Sequence, residues 1–213
     1  MNQREIKYDL QNLISGKSGA SYDALIQTVT SLLRSGKRAG PMAEEKHKNK
    51  SKEAAELIKF ATSNNLMLKK IPEDRFIAKG AEQRVYISDR VVIKLNDAIY
   101  YASWEDYFCN LLLHNYFFTD TAYSLIGFYI SEEVLYAVVQ QNYIKADSLT
   151  ELTDVRNFLS ANEFRNTRRH DYENLELGLI IEDLHDENVL TANGILYFID
   201  TVFFIRPDKF WEN

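Results

Sequence analysis

Five apolar residues, Ile195 to Ile199, run without interruption into a carboxylate, Asp200. A bare carboxylate at the end of a buried strand is costly unless a cation or hydrogen-bond donors meet it. The chain must therefore fold so that such a partner reaches the end of this strand. Upstream lies Asp183-Leu184-His185-Asp186-Glu187-Asn188, an acid followed five positions later by a side-chain amide. One acid can orient or deprotonate a nucleophile. The amide, with the second acid beyond a hairpin, can hold Mg²⁺ against phosphate oxygens. The set suits phosphoryl transfer and argues for ATP binding, although Asp183 and Asn188 also read as turn caps.

With 213 residues, 46% apolar and 26% charged, the chain can build one substantial domain and a smaller appendage. Its formal charge of −6 gives no global electrostatic reason to bind nucleic acid. A single cysteine, Cys109, excludes an internal disulfide and a multi-cysteine zinc site, and its apolar neighbours make it an inert core residue. The first residues lack the apolar core of a signal peptide, and no apolar run reaches transmembrane length. A reducing, cytoplasmic setting follows as the expectation, with no membrane partner.

Three regions separate along the chain. Residues 1–70 read as helical: Leu10, Leu13 and Ile14 share one face, as do Leu25, Ile26, Val29, Leu32 and Leu33. A further helix is expected over about 51–64, stopped by Asn64-Asn65. The basic stretch 34–52 reads as a solvated linker. Residues 75–145 read as a strand-rich unit with one helix. Strands are expected at Phe76–Ala78, Arg84–Ile87 and Val91–Lys94, then a helix over 102–117. Leu125–Ile130 and Val134–Val139 follow as a hairpin across Ser131-Glu132-Glu133. Residues 146–213 open with a helix near 148–160, capped by Ser148 or Thr150. A polar stretch from Asn162 to Glu173 then leads to an apolar strand, Leu177–Ile181.

This order of elements, with Val91-Val92-Ile93-Lys94, Asp183-Leu184-His185-Asp186-Glu187-Asn188 and Asp200, resembles the protein kinase-like superfamily over about 75–205. The turn Gly80-Ala81-Glu82-Gln83-Arg84-Val85-Tyr86 is similar to that of the kinase domains found in polyvalent proteins of phages and other mobile elements. The Asp-x-His-x-x-Asn pattern also looks like the loops of aminoglycoside and choline kinases. The resemblance implies an α+β, two-lobed kinase-like fold with a reduced C-terminal lobe and a helical N-terminal extension. It implies ATP and Mg²⁺ as cofactors, and a protein or small-molecule hydroxyl as acceptor. Lys94 would hold the α- and β-phosphates, and Glu105 would pair with it, Asp106 being able to fill the same place. Asp183 would be the base, with Asn188 and Asp200 the metal ligands. Gly80 would cover the phosphates, and Gln141 and Tyr143 would line the hinge beside adenine, with Ala78 and Val92 against the base.

Several departures favour a second reading, a pseudokinase serving as a nucleotide-binding or protein-interaction module. The phosphate loop has one glycine, Gly80; Asp200 is followed by Thr201-Val202; and little chain follows for an activation segment. Glu182 stands where an arginine could pair with a phosphorylated loop. His185 is expected to brace the loop. Tyr86, Tyr100, Tyr101 and Tyr143 are candidate acceptors if the chain labels itself, and the helical extension offers a surface for a homodimer.

Overall fold

A computed structural model describes residues 2–17, 24–36, 46–80 and 83–212. Ser21-Tyr22-Asp23, which precede the second apolar helical face and suit a helix start, the Gly40-Pro41 part of the basic stretch and Ala81-Glu82 of the phosphate loop lie outside the described residues. The helices are α1 (Gln3–Ile14), α2 (Ala24–Gly36), α3 (Lys46–Ser63), α4 (Trp104–Phe117), α5 (Leu152–Ala161) and α6 (Pro207–Phe210). The first strands are β1 (Phe76–Lys79), β2 (Gln83–Ser88), β3 (Val91–Asn96), β4 (Ser124–Ser131) and β5 (Val134–Asn142). Then come β6 (Arg165–Arg168), β7 (Asp171–Asn174), β8 (Leu179–Glu182), β9 (Val189–Ala192), β10 (Ile195–Phe198) and β11 (Val202–Ile205). Every pairing between these strands is antiparallel, so the fold class is α+β, as expected.

The chain divides into two compact units. One comprises Tyr22–Leu111 and Ala122–Tyr143; the other comprises Met1–Ser21, Leu112–Thr121 and Ile144–Asn213. In the first, the strands form one sheet in the order β1-β2-β3-β5-β4. Alternation along each strand sends Tyr86, Leu95, Tyr136 and Val138 into one apolar cluster with Ile71. Lys94, one residue before Leu95, takes the opposite face, in register with Val85 and Val139. Helices α2 and α3 belong to this same unit, burying Ile26, Val29 and Leu33, and Leu57 and Ala61.

Helix α3 begins at Lys46, earlier than expected, so Lys46, Lys48, Lys50 and Lys52 are helical residues and not linker. Its end falls where Asn64-Asn65 was expected to stop it. Asn65 turns left-handed (φ 57°), and the Leu66 N–H donates to Ala61 O at 2.8 Å, closing a Schellman cap. After the cap, segment 66–68 runs beside β4: Phe128 N–H donates to Leu66 O at 2.9 Å, and Leu68 N–H to Phe128 O at 2.8 Å. The approach requires Gly127, which has φ 152° and sits at a break in the β4–β5 register; a Cβ there would lie 2.4 Å from Leu66 O.

In the second unit, β11-β8-β7-β6 form a four-stranded sheet and β9-β10 a separate hairpin. The polar stretch from Asn162 to Glu173, expected as a connection, is largely the β6–β7 hairpin. Its hydrophilic side chains hid it because its outer strand is exposed. Helix α5 starts later than expected, with Glu151 at the N-cap position and no side-chain cap. Ser148 and Thr150 do not cap it: Ser148 bridges Thr191 in β9 and its hydroxyl donates to Asp147, while the Thr150 hydroxyl bonds that of Thr191 at 2.9 Å. Aromatic stacking fills the core of this unit, with Phe118 and Phe198 rings 4.3 Å apart and Phe117 and Phe203 5.5 Å apart. Among the described residues no helix is long and apolar enough to cross a membrane.

Gly127→Ala should destabilise the protein by at least about 2 kcal/mol, because either β4 or segment 66–68 must move to admit the methyl group. A thermal melt would show this as a fall in Tm of roughly 4–8 °C for a chain of this size.

Candidate functional site

A two-residue turn sets the spacing of the acids. Asn193 and Gly194 are both left-handed (φ 52° and 72°), the backbone of a type I′ hairpin turn, which suits the right-handed twist of β9 and β10. The register then pairs Ala192 with Ile195 and, at the far end, Val189 with Phe198. One step beyond, Asn188 stands beside Ile199 and Asp200: its carbonyl accepts from Ile199 N–H at 2.9 Å and from Asp200 N–H at 3.3 Å. The Asn193-Gly194 dipeptide carried this geometry in the sequence.

The loop from Asp183 to Asn188 closes on itself. Asp183 is left-handed (φ 66°), a conformation Asp tolerates better than most residues, and its side chain is 61% exposed. The Asn188 amide donates to Asp183 O at 2.8 Å and to Asp183 Oδ2 at 3.0 Å. Both amide hydrogens are thus directed at Asp183, and Oδ1 accepts no hydrogen bond among the described residues. His185 braces the loop, as expected. Glu187 N–H donates to its Nδ1 at 3.2 Å, and its Nε2 lies 3.1 Å from Asn188 Nδ2 and 3.5 Å from Asp183 Oδ1.

The Asn188 amide oxygen and the Asp200 carboxylate are hard-oxygen donors, a pair whose chemistry fits Mg²⁺ better than a soft metal. Among the described residues no group of three or more His, Cys, Asp or Glu is arranged to hold a metal. Two protein ligands are what a Mg²⁺ site completed by phosphate oxygens needs.

Neighbouring segments position this loop. The β6–β7 hairpin supports it from behind: Leu184 N–H donates to His170 O at 3.1 Å, and Asp183 N–H to Asp171 Oδ1 at 3.3 Å. Glu182, Asp171 and Asp183 gather here. Burial first, and then the Asp171 and Asp183 charges, raise the Glu182 carboxyl above its usual range. After Asp200, Thr201 is buried and bonds His114 Nδ1 at 2.8 Å; His114 Nε2 lies 2.9 Å from Thr121 O. Since a carbonyl only accepts, Nε2 carries the hydrogen and Nδ1 accepts from the threonine. No motif announced His114 as part of this arrangement.

The other candidates lie in the five-stranded unit. Lys94 is only 6% exposed, which rules out a solvated surface charge. Its ammonium donates to Tyr123 Oη at 3.2 Å and lies 5.2 Å from the centre of that ring. Tyr123, itself buried, is a neighbour that no motif announced. Of the two acids at the start of α4, Glu105 is the enclosed one and Asp106 is exposed. Glu105 Oε1 accepts from Arg34 Nε at 3.0 Å and Nη2 at 2.9 Å. Gly80 donates its N–H to Gln83 O at 2.8 Å, and a Cβ there would meet nothing closer than 3.8 Å. Gln141 lies buried in β5 opposite Val92, while Tyr143 donates its N–H to Arg90 O at 2.9 Å. That N–H is therefore spent within the protein. Of the four candidate acceptor tyrosines, Tyr86 and Tyr101 are buried, whereas Tyr100 is 67% and Tyr143 44% exposed.

The Glu182 environment generates a pH prediction. Its carboxyl binds a proton more tightly when folded than when unfolded, so its contribution to stability falls as pH rises from the ordinary carboxylate range through its raised value. Glu182→Gln should therefore raise Tm relative to wild type at about pH 8, with the gain vanishing towards about pH 4. Melts across that range that show no narrowing of the difference would contradict this account.

No curated protein matches the chain. A family model described as a serine/threonine/tyrosine kinase found in polyvalent proteins matches residues 50–207, which include β1 to β11, Lys94, Glu105, Asp183, Asn188 and Asp200. The match spans well over half of the chain, which therefore belongs to this family of kinases found in polyvalent proteins.

Proposed function

We propose that the protein is an ATP- and Mg²⁺-dependent phosphotransferase that moves the γ-phosphate to a hydroxyl of a protein or small molecule. It would do so on a two-lobed kinase-like fold. One observation carries the reading: the Asn188 side chain is locked onto Asp183 while its carbonyl takes the amides of Ile199 and Asp200. A base and two metal ligands are thereby held in one short stretch of backbone. A turn that merely needed capping would not require the second acid.

In this reading Asp183 orients the acceptor hydroxyl and takes up its proton as the new bond to phosphorus forms. Its exposure leaves it open to an acceptor. Asn188 Oδ1 and Asp200 would hold Mg²⁺, which when bound neutralises charge on the phosphate oxygens. Lys94 positions the α- and β-phosphates, and Glu105 orients Lys94. Gly80, Gln141 and Tyr143 serve the nucleotide, Tyr143 through its carbonyl or ring because its N–H is already used. Positioning and charge neutralisation supply most of the rate in such chemistry. Self-labelling, where it occurs, falls on Tyr100 or Tyr143.

Asp183→Asn is the sharper test than Asp183→Ala, because asparagine also accepts the left-handed backbone. It should reduce γ-phosphate transfer by about 10²–10⁴-fold, the usual contribution of a positioned base, while ATP affinity stays within about threefold. Lys94→Met should instead weaken ATP binding. Transfer at the wild-type rate in Asp183→Asn would contradict the assignment. ATP binding with no transfer in wild type, whatever acceptor is offered, would favour the pseudokinase.

A further inference from the structure

We infer that α2 and α3 are a clamp that holds α4, and with it Glu105, in its working place; Arg34, Lys50 and Glu53 are its positioning residues. The inference rests on the phosphotransferase reading for what Glu105 does, but the clamp itself stands on contacts within one compact unit.

Three polar ties converge on the connection from β3 to α4 and on the first turn of that helix. From α2, Arg34 reaches Glu105 Oε1 through two N–H groups, at 2.9 and 3.0 Å. The Glu105 side chain is 15% exposed and that of Arg34 33%, so the pair is partly shielded from solvent. From α3, Lys50 Nζ donates to Ala98 O and, at 3.1 Å, to Tyr101 O. Also from α3, the buried Glu53 accepts the Trp104 N–H through Oε2 at 2.7 Å, placing a carboxylate at the positive end of α4.

Each tie acts where the chain could otherwise drift. Ala98 is left-handed (φ 56°), a strained state for a residue with a Cβ, and it persists only where the surroundings over-determine it. Here they do: the Ala98 N–H bonds Asn96 Oδ1, and its carbonyl takes Lys50 and the Tyr101 N–H. Ser103 caps the helix by accepting the Asp106 N–H at 3.0 Å. The helix is then enclosed nearly all round, from Tyr107 to Asn115. Two Arg34 N–H groups thus grip Glu105 through its Oε1. By holding the carboxylate in place, Arg34 supports the role proposed for Glu105. Since Arg34 precedes residues 50–207, the clamp recruits a side chain from outside the stretch the family defines.

The test uses the full chain with Arg34→Met, Arg34→Lys, Glu105→Gln and the Arg34→Met/Glu105→Gln double variant. Arg34→Met should lower kcat on the order of tenfold, with little change in KM for ATP, and Arg34→Lys should recover part of the loss. In the Glu105→Gln background Arg34→Met should cost almost nothing further. Faster turnover in Arg34→Met, or an equal loss in the Glu105→Gln background, would overturn the clamp. Amide hydrogen exchange gives a readout independent of activity: Arg34→Met should speed exchange over residues 98–108 and leave β3 and β5 unchanged. Unchanged exchange over 98–108 would overturn the clamp even if the chain transfers phosphate. Faster exchange in a chain that transfers none would support the clamp while the phosphotransferase reading falls.

Discussion

The carbonyl of Asn188 accepts two backbone amides, those of Ile199 and Asp200, and the rest of the candidate site depends on that junction. It exists because β9 and β10 pair without slippage from a turn of two left-handed residues. A one-residue slip would reverse the faces of β10 and carry Asp200 away from Asn188. Phe198 and Val189, paired at the site end and both buried, oppose that slip, since it would expose the Phe198 ring stacked on Phe118. The apolar packing of the hairpin thus fixes the relation between two polar side chains that do not themselves pack.

Charge is handled differently in the two units. Around Asp183 the acids crowd and remain partly open to water, and the cost appears as a raised proton affinity at Glu182. Around Lys94 and Glu105 the charges are enclosed and held by Tyr123 and Arg34. Enclosed charges retain their geometry because leaving one unpaired is costly. An exposed acid beside a supporting hairpin, by contrast, stays accessible to an incoming acceptor. The two environments suit their proposed roles: fixed cations for phosphate, and a reachable base for a hydroxyl.

Much of this was legible in the residues, and the reasons differ by element. The strands of the five-stranded sheet follow the apolar pattern, and the sequence expectation for them holds within three residues at each end. The α4 expectation holds as well, with Trp104, Phe108, Leu111 and Leu112 all buried. The β6–β7 hairpin escaped because an exposed, hydrophilic strand carries no apolar signal. Its role in supporting the loop rests on backbone groups and on Asp171, which pattern cannot reveal. Lys94 and Glu105 were found through a motif, but their neighbours Tyr123 and Arg34 come from distant segments. Arg34 was grouped with a basic linker; its charge is instead used at short range, on one carboxylate. The cap expected from Ser148 or Thr150 failed because those hydroxyls serve the β9 edge.

The central claim is that Asn188 and Asp200 complete a Mg²⁺–nucleotide site. Titration calorimetry of ATP into wild type and Asp200→Ala, each with and without Mg²⁺, tests it most directly. The account predicts Mg²⁺-dependent binding in wild type and loss of that dependence in the variant. Wild-type binding of ATP that is indifferent to Mg²⁺, or a variant that keeps the full Mg²⁺ dependence, would contradict it.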